Sequence, residues 1–218
     1  MVKLRLRFSK QGRSIYISQL DLMRTLQRAF QRAGYPLKYS EGFNPHPLLS
    51  VALPMSVGVS SVCEILDFKM NDTPSDFCRM KDSVSAALPE GLEILSIYVP
   101  ERKVNDIKWL SISGRLEYDS GTSSSLIDQL TDHFNQQSIQ VMKKSKRGEA
   151  LFDLKPHIKD IAITEASDNV IAFEAMISAQ NPTVNPNYLV KSFSDDLKPD
   201  FARFHRIEIF DEQMNIFE

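Results

Sequence analysis

The chain has 218 residues, of which 42% are hydrophobic and 25% are charged, a composition typical of a folded globular protein and not of a disordered, fibrous or membrane-spanning one. Its formal net charge of −2 hides an uneven distribution, because residues 1–50 hold nine Lys and Arg against two acids and the remainder holds 17 against 26. Two cysteines, Cys63 and Cys78, are too few for a disulfide framework, a four-thiolate zinc site or an iron–sulfur cluster, and we expect both to be buried. No apolar run reaches the roughly 18 residues of a membrane span, and the start of the chain lacks a signal-peptide core, so we expect no membrane contact and a cytoplasmic location.

The first strand and the first helix follow directly from periodicity. Apolar residues at positions 2, 4, 6 and 8 alternate with polar ones, which predicts a strand with one apolar and one basic face. A helix is predicted over residues 19–33, because Ser18 and Asp21 have capping-box spacing and Gly34 stands where helices commonly end.

The rest of the first half continues a recognisable order of elements. Two prolines and a glycine predict a rigid loop over residues 39–47. Strands at 48–53 and 62–70, a helix from Thr73 or Ser75 to Leu88, and a strand at 92–99 complete the order βαββαβ. This order is that of a split βαβ unit.

The second half repeats this pattern less clearly. Its predicted elements are a strand at 110–118, a helix at 124–134, strands at 139–143 and 170–179, a helix at 186–197 and a strand at 204–210. Residues 144–168 are predicted to add a hairpin and turn between the second and third strands. We therefore expect an α+β protein of two tandem ferredoxin-like units, residues 1–104 and 105–218, the second with the inserted hairpin; the alternative is one α+β domain with a larger sheet.

Eight cations in the first 32 residues are candidates for nucleic-acid binding. Three alternate along the first strand, where the helices should leave one sheet face open, and three recur every four residues along the first helix. We expect them to form one continuous platform for phosphates; the alternative is cross-strand ion pairing with Glu64 or Asp67 and a merely solvated helix face. The candidates are Lys3, Arg5, Arg7, Lys10, Arg13, Arg24, Arg28 and Arg32.

The loop over residues 39–47 is the second candidate site. It combines a glycine, two prolines, aromatic rings and a histidine, and its candidate binding residues are Tyr39, Gly42, Phe43, Asn44, Pro45, His46 and Pro47. His46 is a candidate for a phosphate contact or for proton transfer, with a structural role as the alternative. No other catalytic signature and no metal-ligand spacing is present, so we expect neither a metal nor a cofactor.

Several segments together resemble the radical-SAM-linked family, bacterial proteins of uncharacterised activity. The similar segments are residues 7–12, 18–24, 39–47 and 52–58. The resemblance implies a partner, because in that family the domain occurs beside, or fused to, a radical SAM protein. Asp153, Lys155 and Pro156 look like a second motif of the family, whereas Asn185 stands where the resemblance would place a basic residue.

These observations favour one function and leave two others open. The leading hypothesis is a non-catalytic RNA-binding accessory protein that works with a separate radical SAM protein in RNA modification or processing. One alternative is a metal-independent RNA-processing enzyme that uses His46. The other is a protein-docking module that binds the radical SAM partner without RNA.

Overall fold

Alternating apolar residues build the first strand, β1 (Val2–Lys10), in the computed structural model, which describes residues 1–145 and 148–218. The chain divides into two compact units, residues 1–106 together with Glu218 and residues 107–217. Each unit combines helices with antiparallel strands, which confirms the α+β class that the sequence predicts.

The first unit contains two helices and four strands. Beyond β1 these are α1 (Gln19–Arg32), β2 (Leu49–Val51), β3 (Ser60–Met70), α2 (Phe77–Ala86) and β4 (Leu92–Tyr98). The strands pair antiparallel in the order β4-β1-β3-β2. The prediction of α1 is confirmed at its start, and the helix ends one residue earlier than predicted, at Arg32. The Ser18 hydroxyl accepts a hydrogen bond from the Asp21 N–H at 3.2 Å, as a capping box requires.

One face of this sheet packs against both helices. Leu4, Leu6 and Phe8 of β1 are fully buried in the same core as Leu26 and Phe30 of α1. The ring centroids of Phe30 and Phe68 are 4.8 Å apart, so α1 contacts β3 directly. Since side chains alternate across a strand, the polar residues of β1 lie on the opposite face of the sheet from α1.

The second unit has the same strand order with an extra hairpin. Its elements are β5 (Trp109–Glu117), α3 (Ser124–Asn135), β6 (Gln140–Ser145), β7 (Gly148–Asp153), β8 (Ile158–Ala166), β9 (Val170–Ser178), α4 (Asn187–Lys191) and β10 (Phe201–Phe210). The antiparallel order is β10-β5-β9-β8, and β6 and β7 form a separate two-stranded sheet.

The prediction that residues 139–143 form the second strand of this sheet is wrong. These residues pair with β7 in the hairpin, and the strand beside β9 is β8, which the sequence prediction assigned to the insertion. The hairpin is therefore inserted before the second strand of the sheet and not after it. Residues 146 and 147 of the predicted insertion lie outside the described residues.

Two smaller predictions are also corrected. The helix expected over residues 186–197 ends at Lys191, and a 3-10 turn follows at Asp195–Leu197. The Ser192 hydroxyl donates to the Leu189 carbonyl at 2.7 Å, a local bond that competes with helix continuation. Cys63 is buried as expected, but Cys78 is exposed in the first turn of α2.

A buried histidine in α3 makes the stability of the second unit sensitive to pH. Burial lowers the pKa of His133 below its ordinary 6.5. The Ser192 hydroxyl already donates to a carbonyl, so it accepts from Nε2–H of His133 at 2.9 Å, which fits a neutral imidazole. The contribution of His133 to stability is therefore complete above pH 6.5 and is lost as the pH falls from there through the folded-state pKa.

We expect the His133→Gln variant, which keeps a side-chain donor but does not titrate, to be less stable than the wild type near neutral pH. The difference in the free energy of unfolding should narrow between pH 7.5 and 5.5, as measured by urea denaturation at each pH. An equal difference at both pH values would show that the protonation of His133 is not linked to folding.

Candidate nucleic-acid interface

Two of the strand cations, Lys3 and Arg5, share one carboxylate. Arg5 is 0% exposed, and its Nε and Nη2 atoms donate to the two carboxylate oxygens of Asp67 at 2.6 and 3.2 Å. Asp67 lies directly opposite Arg5 in the register of β1 and β3, and Lys3 Nζ approaches the same carboxylate at 2.7 Å. Burial alone would raise the pKa of Asp67, but the hydrogen bonds from Arg5 and then from Lys3 outweigh it and hold the pKa below its ordinary value. The cross-strand ion pair is therefore the main role of Arg5.

The other cations near the first strand are divided between buried and exposed positions. Lys10 is buried, and its Nζ donates to the carbonyls of Ile15 and Ile17 at 3.0 and 3.3 Å, which fixes the 3-10 helix that follows β1. Arg7 is half-buried, and Arg13 is exposed. Lys10 is thus used inside the protein and is not presented to a ligand.

The prediction that these cations form one continuous platform is wrong. Lys3 and Arg5 lie on the sheet face opposite the one covered by α1, whereas Arg24, Arg28 and Arg32 belong to α1. The two sets of cations therefore point away from opposite sides of the sheet. Only the helix set keeps most of its charge on the surface.

The helix set, which we call the α1 arginine row, consists of Arg24, Arg28 and Arg32. All three are exposed, and the single acid of the helix, Asp21, lies 3.6 Å from Nη1 of Arg24 with both side chains more than half exposed. Such an exposed pair is weak, and like charges four residues apart destabilise a helix by about 0.2–0.5 kcal/mol per pair. An anionic ligand along the row would offset this repulsion.

The C-terminal half of the row borders an open groove. Arg28 and Arg32 line it together with Thr25 and residues 87–89, and its volume is about 360 Å³. The Arg32 Nη2 atom donates to the Ala87 carbonyl at 2.5 Å, at the C-terminal end of α2. This bond orients one guanidinium, which lowers the entropy lost when a phosphate binds beside it.

The loop over residues 39–47 is closed on itself. The Ser40 N–H donates to the His46 carbonyl at 2.8 Å, the His46 N–H donates to the Ser40 hydroxyl at 3.1 Å, and Tyr39 and Pro47 form a β-bridge. The Gln27 side chain of α1 donates to the Tyr39 hydroxyl at 2.7 Å, which attaches the loop to the helix. The loop is therefore an ordered projection, as the sequence predicts.

The tip and the histidine of this loop are open to solvent. Phe43 is fully exposed, Asn44 and Pro45 are exposed, and Gly42 has φ +119°, a conformation that favours glycine. The His46 ring places Nδ1 2.9 Å from the Ser40 hydroxyl and 3.4 Å from the Asn44 carbonyl. Within residues 1–145 and 148–218 no group bonds Nε2 of His46, so that atom is available to a ligand. Catalysis by His46 stays a prediction.

A cavity at the base of the loop includes residues that the sequence did not single out for binding. We call it the loop-base pocket; its volume is about 300 Å³, and its lining includes Lys3, His46, Pro47, Ser50, Asp67 and Lys69. Ser50 and Lys69 were missed because they enter the pocket through strand pairing: Ser50 lies opposite Asp67, and Lys69 lies opposite Lys3. Their alternation with apolar residues was visible in the sequence, but the strand register that brings them to the pocket was not.

The second-half motif, which consists of Asp153, Lys155 and Pro156, has a structural role. The Asp153 carboxylate accepts hydrogen bonds from the N–H groups of Ile139 and Lys155 at 2.9 and 3.0 Å, and these bonds lower its pKa. Lys155 Nζ donates to the Phe134 carbonyl at 2.6 Å near the C-terminal end of α3, and Pro156 is exposed in the 3-10 turn that follows. The motif joins the hairpin to α3 and is not part of the basic surface.

Two kinds of feature are absent from the residues that the structure describes. Residues 1–145 and 148–218 contain no cluster of three or more His, Cys, Asp or Glu that could hold a metal ion. No helix in the same ranges has the length and apolar character needed to cross a membrane.

The fold and the surface define an α+β protein with mainly antiparallel sheets, a basic helix face and a rigid aromatic loop. The chain belongs to the family DUF2344, described as uncharacterised proteins conserved in bacteria, whose model matches residues 3–186. No curated protein matches the sequence significantly.

A solved structure shows the same type of fold at very low sequence identity, and two others are less similar. A chain of the crystal structure of a Cbf5-Nop10-Gar1 complex is 10% identical with a TM-score of 0.55, over 96% of this chain and 50% of that one. A chain of the archaeal box H/ACA sRNP Nop10-Cbf5 complex is 7% identical, with a TM-score of 0.48 over 93% of this chain and 46% of that one. A chain of an H/ACA RNP bound to a substrate RNA containing 2'-deoxyuridine is 10% identical, with a TM-score of 0.49 and the same coverage. This protein spans about half the length of these chains.

Proposed function

We propose that this protein is a non-catalytic RNA-binding accessory protein, built of two ferredoxin-like units with a boundary between residues 104 and 105. The strand orders β4-β1-β3-β2 and β10-β5-β9-β8, each with two helices in the connections, support the assignment of two such units. Because a fold hosts many functions, the functional part of the proposal is based on the surface.

The α1 arginine row is the observation that carries the proposal. It presents three guanidiniums along one exposed helix, in a chain whose total charge is slightly negative, so the positive field is local. Guanidiniums bind phosphates through paired hydrogen bonds, and a row that extends over two helical turns can contact successive phosphates of one strand. The groove at Arg28 and Arg32 gives such a backbone a place to lie.

The exposed ring of Phe43 in the loop over residues 39–47 favours RNA, and not an acidic protein, as the ligand. Phe43 is fully exposed on a loop fixed at its base by the bonds between Ser40 and His46. An exposed aromatic ring on a loop with a fixed base can stack on unpaired bases, which RNA loops and ends supply. The similarity to a chain of a Cbf5-Nop10-Gar1 complex concerns the fold and agrees with this proposal without carrying it.

The binding itself is tested by a salt titration. We expect the full-length protein to bind a structured RNA with unpaired loops, and the logarithm of the binding constant to fall linearly with the logarithm of the salt concentration. Fluorescence anisotropy at several potassium chloride concentrations measures both quantities. An affinity that does not change with salt would contradict the proposal, because phosphate contacts release counterions.

We further propose that the partner is a radical SAM protein and that the pair acts in RNA modification or processing. The support is the resemblance of residues 7–12, 18–24, 39–47 and 52–58 to the radical-SAM-linked family. The chain has two cysteines, so its own residues cannot supply a cluster held by three thiolates.

A pull-down from cells of the source organism tests this partnership. We expect the tagged protein to recover a radical SAM protein together with RNA, as identified by mass spectrometry and sequencing. Recovery of the radical SAM protein without RNA would instead support the docking module. Recovery of RNA without any radical SAM protein would contradict the partnership and leave RNA binding standing.

A further inference from the structure

We infer that the loop-base pocket is a nucleotide-binding site, which takes one phosphorylated nucleoside, either free or as an unpaired nucleotide of an RNA. The RNA form of this inference rests on the proposed function, whereas the free form does not. The charge, the walls and the rigidity of the pocket all favour such a ligand.

The charge of the pocket favours an anion. Lys3 and Lys69 lie directly opposite each other on β1 and β3, an arrangement in which like charges destabilise the strand pair. Asp67 is the one acid among the lining residues that the structure describes, and it is shared between Lys3 at 2.7 Å and Arg5 at 2.6 Å. The lining residues that the structure describes therefore hold two cations, Lys3 and Lys69, against one carboxylate, an excess of one positive charge. A phosphate that bridges Lys3 and Lys69 would neutralise this excess.

Lys69 is the residue most available to that phosphate. Lys69 is half-buried and has no ion pair within residues 1–145 and 148–218, unlike Lys3 and Arg5. An ammonium at the wall of a pocket and without a carboxylate partner binds an anion with little competition inside the protein. The Ser50 side chain lies on the same face, because Ser50 is opposite Asp67 in the register of β2 and β3.

The remaining wall of the pocket suits a base and a ribose. Pro47 and Leu48 supply apolar surface beside the lysines, and His46 supplies a ring whose Nε2 is available as a hydrogen-bond donor or acceptor. A volume of about 300 Å³ is at the lower end of the range for small-molecule sites, which fits one nucleotide and not a stack of bases.

The pocket is formed before any ligand arrives. The Lys38 N–H donates to the Lys69 carbonyl at 2.8 Å, the Lys69 N–H donates to the Leu48 carbonyl at 2.9 Å, and the Leu48 N–H donates to the Lys38 carbonyl at 2.8 Å. These bonds fix both ends of the loop to β3. A preformed site loses little conformational entropy on binding, so a ligand as small as a mononucleotide can bind measurably.

Calorimetric titration of the full-length protein with AMP, GMP, CMP and UMP tests the inference. We expect at least one mononucleotide to bind more tightly than adenosine and than inorganic phosphate, because the pocket contacts both the nucleoside and the phosphate of a nucleotide. The Lys69→Gln variant should weaken this binding by about tenfold or more, since a hydrogen bond to a charged group is removed. The matched control is Lys38→Gln, which makes the same charge change at a residue outside the lining and should leave binding unchanged.

Three results would overturn the inference. They are the absence of binding of every mononucleotide at millimolar concentration, equal weakening by Lys69→Gln and Lys38→Gln, and binding of inorganic phosphate as tight as that of the nucleotides. In each case RNA binding by the α1 arginine row could still be intact, so the failure would be separate from that of the proposed function.

A second titration separates the two sources of the nucleotide. If the ligand is part of an RNA, Lys69→Gln should reduce the affinity for a hairpin with a single-stranded 3' overhang more than for the same hairpin with a blunt end. If the ligand is a free nucleotide, the variant should lose mononucleotide binding and leave both RNA affinities unchanged. Either result supports the nucleotide-binding site. If the protein binds mononucleotides but no RNA, that result supports the site and contradicts the proposed function.

Discussion

Replacing Asp67 by Asn should lower the free energy of unfolding by about 3–5 kcal/mol, the usual cost of removing one partner from a buried ion pair. The reason is the burial of Arg5, which is 0% exposed and binds both carboxylate oxygens of Asp67. Asn keeps the size of the side chain but removes its charge, so the buried guanidinium loses its bidentate acceptor. Urea denaturation monitored by circular dichroism measures the change as a shift of the midpoint at constant slope.

Two further variants make this result specific. Asp72→Asn makes the same chemical change at an exposed position and should alter stability by less than about 0.5 kcal/mol. The double variant Arg5→Met with Asp67→Leu should be more stable than Asp67→Asn alone, because it removes the buried guanidinium together with the carboxylate that binds it. Since the pKa of Asp67 is lowered, the contribution of the pair should be complete above pH 3.8 and be lost as the pH falls from there through the folded-state pKa. An unchanged midpoint for Asp67→Asn would show that the pair does not stabilise the fold.

Local signals explain why the first unit was predicted well. The start of α1 depends on Ser18 and Asp21, three residues apart, and its end is followed by Gly34 with φ +78°. The alternation along β1 likewise needs only neighbouring residues to place Leu4, Leu6 and Phe8 in the core. Each of these signals acts over a few residues, so the sequence alone is sufficient.

Strand pairing is long-range, and there the sequence prediction failed. Residues 139–143 and 158–166 both mix polar and apolar side chains without a strict alternation, so periodicity could not decide which of them pairs with β9. The Asp153 carboxylate, which accepts from the Ile139 and Lys155 N–H groups, holds the ends of the hairpin together and leaves β8 for the sheet. That arrangement depends on residues 14 positions apart and is not visible in a local pattern.

The prediction of the candidate site was limited by the same difference between local and long-range signals. The separation of the strand cations from the α1 arginine row follows from two periodicities and was available in the sequence, because α1 packs on the apolar face of β1 and the cations occupy the other. The position of Asp67 opposite Arg5, and of Lys69 opposite Lys3, depends on the register of β1 and β3. Consequently the ion pair and the loop-base pocket emerged only from the structure.

Removing the α1 arginine row should have the largest effect on RNA binding. The triple variant Arg24→Gln, Arg28→Gln and Arg32→Gln should weaken binding by roughly ten- to a few hundredfold at about 0.1 M salt, and the slope of log K against log salt should become shallower by about 2 to 3. The fold should tolerate the change, because the side chains are exposed, Gln is a good helix former and the repulsion between neighbouring arginines is removed. Fluorescence anisotropy over a series of salt concentrations measures both quantities.

A matched triple variant separates the row from net charge. Lys103, Arg115 and Lys191 are exposed and lie outside α1, and their replacement by Gln changes the total charge by the same amount. We expect this control to change the slope by less than about 1, because side chains that do not contact the RNA release few counterions. If the two triple variants weakened binding equally, the RNA would respond to the overall charge of the protein and not to the row. The difference in slope between the two variants therefore counts the phosphates that α1 contacts.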